Sequence, residues 1–336
     1  MARRRNRKRR SNTVRKIVSI LTAVAAGCIA LAAFVIEYYG GQGAVPTWDT
    51  LYDQFGIENS IPDSETVSSG DTSVSFLNVG QGDSVLICQD GEFCLIDAGT
   101  PDSQEQLLRS LEGAGVERLT YVVMTHPHAD HAGGMAAVLE AFPTDTLILP
   151  QLDGLEDRSS TLERTLDAAE EYGVEMIQAS TGDSYTLGGG QLDVLLAPTP
   201  EEAGDNLNNL SLCLRFTAGK FTFVDTGDAE EEIEEQLIQQ YWSGLRADLL
   251  KAGHHGSNTS NTQEFLEAVS PEIVVASCGL DNDYGHPHEE VVERVEDIGA
   301  AFYRTDLDGT VTVVSHDGTM QVDCTARYAQ DADQAA

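Results

Sequence analysis

An α/β fold of two β-sheets packed face to face, with helices on their outer surfaces, is the architecture this 336-residue sequence predicts. Compact apolar, β-branched runs and amphipathic helical stretches follow one another from about residue 74 onward. Strands gather both before and after helices, a distribution that suits stacked sheets with outer helices. A hydrophobic content of 41% is ample for the buried core such layers need.

In order, residues 74–78, 84–88 and 93–96 read as a hairpin-rich start with Asp90-Gly91 as a turn signal. Helical spacing follows at 103–111, a strand at 119–124 and a helical pattern from Ala132. Further strands are expected at 146–149, 174–177, 192–196, 210–216, 221–224, 248–252, 273–277, 301–303 and 311–314. Amphipathic helices are expected at 160–172, 229–242, 261–269 and 288–298. One compact domain over 73–325 accounts for all of these, with a short acidic tail at 326–336.

Charge is divided sharply. Residues 1–16 carry nine Lys or Arg and no acid, a basic tail; the remainder has 11 basic residues against all 55 acidic ones, a net −44. Residues 17–36 contain no charge and are closed by Glu37-Tyr38-Tyr39. At 1.5 Å per residue, that length matches a hydrocarbon core of about 30 Å, so the span reads as an N-terminal transmembrane helix. The basic flank places the tail in the cytoplasm and the domain outside, with membrane lipid as a partner. Two alternatives are a cleaved signal peptide, for which the run is long, and lipidation at Cys28 in Ala25-Ala26-Gly27-Cys28. Residues 37–72, rich in Gly, Pro, Ser, Thr and acids, read as a linker with one short helix near Trp48 to Phe55. Outside the span five cysteines remain, too odd a number to pair completely, and their mid-strand contexts favour buried thiols.

The most informative segment is Thr125-His126-Pro127-His128-Ala129-Asp130-His131, between an apolar strand and a helix. Folding does not require three imidazoles and a carboxylate in six residues, whereas zinc, manganese or iron selects such ligands. Asp228, the pair His254-His255 and His286 follow in the chain. Asp228 also has a bland reading, as the N-cap of the helix at 229. His288 and His316 read as ordinary surface histidines.

Seven motifs, FLNVGQGDSVLI (76–87), LIDAGT (95–100), THPHADHAGG (125–134), LSLCLRF (210–216), FVDTGDAE (223–230), LLKAGHHGS (249–257) and YGHPH (284–288), resemble those of the metallo-β-lactamase superfamily. More narrowly, they resemble the hydrolase domain of the ComEC competence proteins. The resemblance covers about residues 72–325. It implies a four-layer αββα sandwich and a dinuclear metal site holding two divalent ions, Zn²⁺ first and Mn²⁺ second. It assigns His126 and His128 to one ion, Asp130 and His131 to the other and Asp228 as the bridge. His254 and His255 are metal or groove residues whose order the sequence leaves open. The catalytic set is Asp130, Asp228, His255 and His286, with Asp83 and Asp97 supporting. No histidine lies between His131 and His254, so the third imidazole that many superfamily members give the first metal is missing, and Asn208, Asn209 or Ser211 occupies that region.

The function implied is a membrane-anchored, extracytoplasmic metal-dependent hydrolase, a phosphodiesterase or nuclease working through metal-bound water. Its expected substrate is a phosphodiester, with single-stranded DNA a candidate. Two other classes remain: a DNA-uptake accessory, and a binding module with a weak or incomplete metal site. The −44 balance opposes sequence-independent duplex binding, so a local patch with Lys251 or Arg304, or the metals, must attract a polyanion.

Overall fold

The computed structural model describes residues 70–155 and 158–326, all within one compact unit, Ser60–Ala336. The expected basic tail, the span at 17–36, the short linker helix and the acidic tail beyond Ala326 lie outside those residues. Among the described residues no helix is long and apolar enough to cross a membrane.

The first half holds β1 (Thr72–Phe76), β2 (Val85–Gln89), β3 (Glu92–Ile96), α1 (Gln104–Gly113), β4 (Leu119–Val123), α2 (Ala129–Ala132), α3 (Met135–Ala141), β5 (Thr144–Leu149), α4 (Ser160–Glu171) and β6 (Glu175–Gln178). Next come β7 (Ser184–Leu187), β8 (Gly190–Leu196), α5 (Pro200–Ala203), β9 (Cys213–Ala218), β10 (Phe221–Asp225), α6 (Glu231–Tyr241), β11 (Leu249–Lys251) and α7 (Gln263–Val269). The chain closes with β12 (Ile273–Ala276), α8 (Glu289–Asp297), β13 (Ala301–Arg304), α9 (Thr305–Asp308), β14 (Val311–His316) and β15 (Thr319–Cys324).

Eight strands form one sheet in the order β15-β14-β1-β2-β3-β4-β5-β6, and seven form the other in the order β13-β12-β11-β10-β9-β8-β7. Between them lies a core built from alternate residues of both sheets, including Val74, Phe76, Val85, Ile87, Leu214, Phe216, Phe223 and Val275. Phe76 and Phe223 meet edge to face across it, with centroids 5.7 Å apart at 89°. The remaining alternation, Leu86, Leu95, Val122 and Leu147, faces Leu107, Leu111, Val138 and Leu162 of α1, α3 and α4. Val224, Leu250 and Val274 of the other sheet meet Ile233, Leu237, Phe265, Leu266, Val291 and Val295 of α6, α7 and α8. The result is a four-layer αββα arrangement, and strands buried on both faces explain the near-continuous apolar runs of the sequence.

Two strands escape the sequence pattern. β7 and β15 are two of the four edge strands, and burial alternates along their polar-rich residues, so they lack the apolar density of central strands. Asp317-Gly318, between β14 and β15, is the hairpin turn that joins them. The strand expected from 210 begins only at Cys213, because Leu207–Leu210 forms a 3₁₀ turn and Leu212 N donates to Thr125 O at 3.0 Å. α6 begins at Glu231 with Glu230 as N-cap, so the N-cap reading of Asp228 does not hold.

Four strands of each sheet are parallel, β3 to β6 and β10 to β13. The segments leaving the C-terminal ends of β3, β4, β10, β11 and β12 carry Asp97, the 126–131 loop, Asp228, His254-His255 and His286 in turn, which is where open α/β sheets place ligands. The fold thus collects motifs spread over some 200 residues at one edge.

Candidate metal centre

The loop after β4 is shaped from beneath by Asp97, whose carboxylate accepts from Thr125 N at 2.9 Å and Thr125 Oγ1 at 2.6 Å. Asp97 Oδ2 also lies 2.7 Å from His131 Nδ1. A proton on that nitrogen leaves the Nε2 lone pair to face the cleft. His255 is oriented similarly: Nδ1 donates to Ser277 O at 3.0 Å. His254 and His255 both adopt left-handed backbone, with φ of +49° and +55°, strain of the kind that accompanies functional turns.

The outward nitrogens converge on carboxylates. His131 Nε2 lies 3.1 Å from Asp228 Oδ2, and His255 Nε2 lies 3.4 Å from Asp228 Oδ2 and 3.4 Å from Asp130 Oδ2. Neither Nε2 has a hydrogen-bond partner, and neither has Asp228 Oδ1; all three are buried. Buried imidazole nitrogens and carboxylates this close, with no well-formed hydrogen bond between them, make a pocket suited to a cation. The electrostatics agree. Burial opposes charge on His131, yet Asp228 and Asp97 hold its pKa well above the imidazole range; His255 is raised despite burial by Asp228 and Asp83. Asp130, against the effect of burial, is lowered to about 2 by His255 and His131. The residues therefore fit a metal ion.

Beside this group His126 Nε2 and His128 Nδ1 lie 2.9 Å apart, and Ser211 Oγ sits 3.3 Å from His126 Nδ1. Burial and the neighbouring His131 push the His126 pKa well below the usual range, so it stays neutral. Where the third imidazole is missing, Ser211 accepts from Asp228 N at 3.0 Å, and Asn208 Nδ2 lies 3.5 Å from His254 Nε2.

His254 stands apart from its neighbour: its side chain is 21% exposed, with Nε2 3.9 Å from Asp228 Oδ2 and Nδ1 3.0 Å from Thr259 Oγ1. It lines a cleft of ≈ 330 Å³ with Gln81, His128, Asp130, Asn208, Asp228, His255, Tyr284 and His286. His286 Nδ1 is buried without a partner, and burial with the adjacent His255 and His254 lowers its pKa to about 4. A larger groove of ≈ 570 Å³ beside Trp242 contains no imidazole. His288 accepts from Asn258 N through Nδ1 at 2.9 Å, and His316 pairs with Asp71.

Asp83, expected in a supporting place, lies close to the ligand candidates: among the described residues one ligand-type atom each of Asp83, His131, Asp228 and His255 all fall within 4.8 Å of one another. Two residues named as an attracting patch are spent elsewhere. Lys251 is 1% exposed and paired with Asp83 at 2.6 Å, and Arg304 is paired with Asp306 at 2.6 Å. A lone charge within the apolar run Leu249-Leu250-Lys251-Ala252 was the available signal for the first. Gln81 and Tyr284 in the cleft had no signal beyond lying inside motifs.

"Competence protein ComA" of Neisseria gonorrhoeae is 35% identical over 248 residues, 74% of this chain and 33% of its own length. "ComE operon protein 3" of Bacillus subtilis is 30% identical over 261 residues, 72% of this chain and 33% of its own length. The chain thus spans about a third of these relatives. In fold it is similar to CmlA, a diiron beta-hydroxylase from Streptomyces venezuelae, at 15% identity and a TM-score of 0.50, covering 77% of this chain and 59% of that one. The family model described as "Metallo-beta-lactamase superfamily" matches residues 77–279, the stretch that holds β2 to β12 and carries every carboxylate and imidazole around Asp228 except His286. The chain belongs to that superfamily.

Proposed function

We propose that this chain is a membrane-anchored, extracytoplasmic, metal-dependent phosphodiesterase or nuclease with two divalent ions, Zn²⁺ or Mn²⁺. The observation that carries the reading is the meeting of the Nε2 atoms of His131 and His255 with Asp130 and Asp228, beside the His126–His128 pair. In this reading His126 and His128 would hold one ion and Asp130, His131 and His255 the other, with Asp228 shared between them. Bound there, divalent ions would supply a water nucleophile at neutral pH and stabilisation of charge on phosphate oxygens. His254 and His286 line the cleft and are placed to contact the phosphate.

The competence-protein relatives support a nucleic-acid substrate, and Tyr284 supports a single strand. It is 67% exposed and lies 5.5 Å from His286 in a stacked arrangement, offering a flat face to an unpaired base. With Lys251 and Arg304 paired, attraction of a polyanion falls to the ions.

The deciding measurement is cleavage of single-stranded DNA, duplex DNA, RNA, bis-nitrophenyl phosphate, a cell-wall phosphodiester, a β-lactam and a lactone, with Zn²⁺ or Mn²⁺ added. Chelator-sensitive cleavage of the single strand and of bis-nitrophenyl phosphate is expected. Turnover of only the lactam or lactone defeats the reading. A second reading, a binding module with one ion, is favoured by the missing third imidazole beside Ser211; elemental analysis showing one ion per chain and no turnover selects it.

A further inference from the structure

We infer that Lys251 is a positioning residue: its ammonium holds the Asp83 carboxylate behind His131 and His255, outside the coordination shell of the ion those imidazoles bind. This deepens the metal-centre reading and rests on it. By proximity alone Asp83 looks like a ligand, since it offers an oxygen within 4.8 Å of ligating atoms on His131, Asp228 and His255. The nitrogens it meets decide otherwise. Asp83 Oδ1 is 3.5 Å from His255 Nδ1 and Oδ2 is 3.7 Å from His131 Nδ1. In both rings the opposite nitrogen, Nε2, faces Asp228 Oδ2. A carboxylate lying against both Nδ1 atoms is on the far side of the rings from an ion bound at Nε2.

Lys251 accounts for that placement. Its Nζ is 2.6 Å from Asp83 Oδ2, with both side chains within 2% of complete burial. The same ammonium donates to Gly227 O at 3.0 Å and Ala252 O at 3.3 Å, tying it to the turns that carry Asp228 and His254-His255. Asp83 is fixed from its backbone as well, donating through N to Asp130 O at 3.0 Å. A lysine this deep cannot reach substrate, and burying its charge is costly unless it is paired. Its pairing removes Asp83 from competition for the ion, leaving Asp130, His131, Asp228 and His255 to bind it. Groups that orient metal ligands in this way typically change affinity 10–100-fold when removed.

The test uses the full chain loaded with Co²⁺, reading ions per chain, visible absorption and affinity against a competing chelator. D83N is expected to keep the wild-type number of ions and band positions while affinity falls about 10–100-fold. K251M frees the carboxylate to enter the shell, so its visible bands should shift and weaken. K251M/D83N should return to the D83N spectrum, a reversal in band position that a purely structural role does not produce. Loss of one ion in D83N overturns the inference, because Asp83 is then a ligand. So does a K251M protein with wild-type spectrum and affinity. If K251M does not fold, the charge-balanced double variant decides: matching D83N in ion count and bands supports the inference, and differing overturns it. A wild type that binds no Co²⁺ refutes the metal-centre reading and this inference together, whereas the other outcomes refute the inference alone.

Discussion

At the scale of residues, Asp228 has the most demanding position. It is 1% exposed, and burial alone would favour its neutral form; His131 and His255 instead hold its pKa well below the usual range. Asp228→Ala and Asp130→Ala should each abolish hydrolysis and release bound ion while circular dichroism stays that of the folded domain. Near-normal turnover with unchanged metal content in either variant sinks the ligand assignment. His286 offers a contrast, because it lines the cleft, its buried Nδ1 is unpartnered and it stacks against Tyr284. His286→Ala should lower kcat by about 10²-fold, the lower end of what a proton-transferring or polarising group supplies, with the ion count unchanged. A lost ion there would make His286 a ligand instead.

At the scale of elements, the β2 approach and the metal loop are packed without spare room. A Cβ at Gly82 would lie 2.6 Å from Asp130 O, so the loop carrying Asp130 must move if any side chain is added. Gly82→Ala should therefore weaken metal affinity at least tenfold while removing no ligand; titration with a chromogenic chelator measures it, and unchanged affinity would show the loop to be pliant. On the opposite sheet α6 is clasped to the segment before α7 by Glu234, which accepts from Asn261 N at 2.5 Å and Thr262 N at 2.9 Å. Burial raises Glu234 from 4.5 to about 7, outweighing those donors and Arg294. A carboxyl whose folded pKa exceeds its unfolded value contributes stability that is complete below about pH 4.5 and is lost as pH rises through about 7. The shift corresponds to about 3 kcal/mol. Urea unfolding of wild type and Glu234→Gln at pH 4.5, 6 and 8 should show the wild type losing ground relative to the variant as pH rises. Parallel pH profiles would remove Glu234 from the account.

At the scale of the whole molecule, an ion that binds only the folded chain raises its stability, by about 2.7 kcal/mol when free metal is a hundred times Kd. Chelation should lower the melting temperature, and restoring Zn²⁺ or Mn²⁺ should recover it; a melting curve indifferent to chelator argues against any folded-state metal site. Topology is a second whole-chain matter. If residues 17–36 anchor the chain with the basic tail inside, protease added to intact cells should release a soluble fragment beginning within 40–72. Survival of the domain until lysis would reverse the orientation, and a mature chain beginning at lipid-modified Cys28 would replace the helix by a lipid while keeping the domain outside.

The sequence by itself determined the layered α/β class, the family and the histidines and aspartates that meet at the site, because those properties reside in local periodicity and in residue types that folding alone does not demand. Edge strands were less legible: β15 lacks the two-sided burial that makes β4 or β12 an apolar run. Only the tertiary structure decided which of two adjacent histidines turns inward. His254 and His255 share a left-handed turn, and the direction of each ring follows from what the turn packs against, Thr259 for one and Ser277 O for the other. It also decided that Lys251 is an internal counter-charge and no surface cation. A strand reading states that a side chain alternates, whereas the carboxylate opposite it, Asp83, comes from 168 residues earlier in the chain. Such pairings depend on strands joined across two sheets, and no local window of sequence contains them.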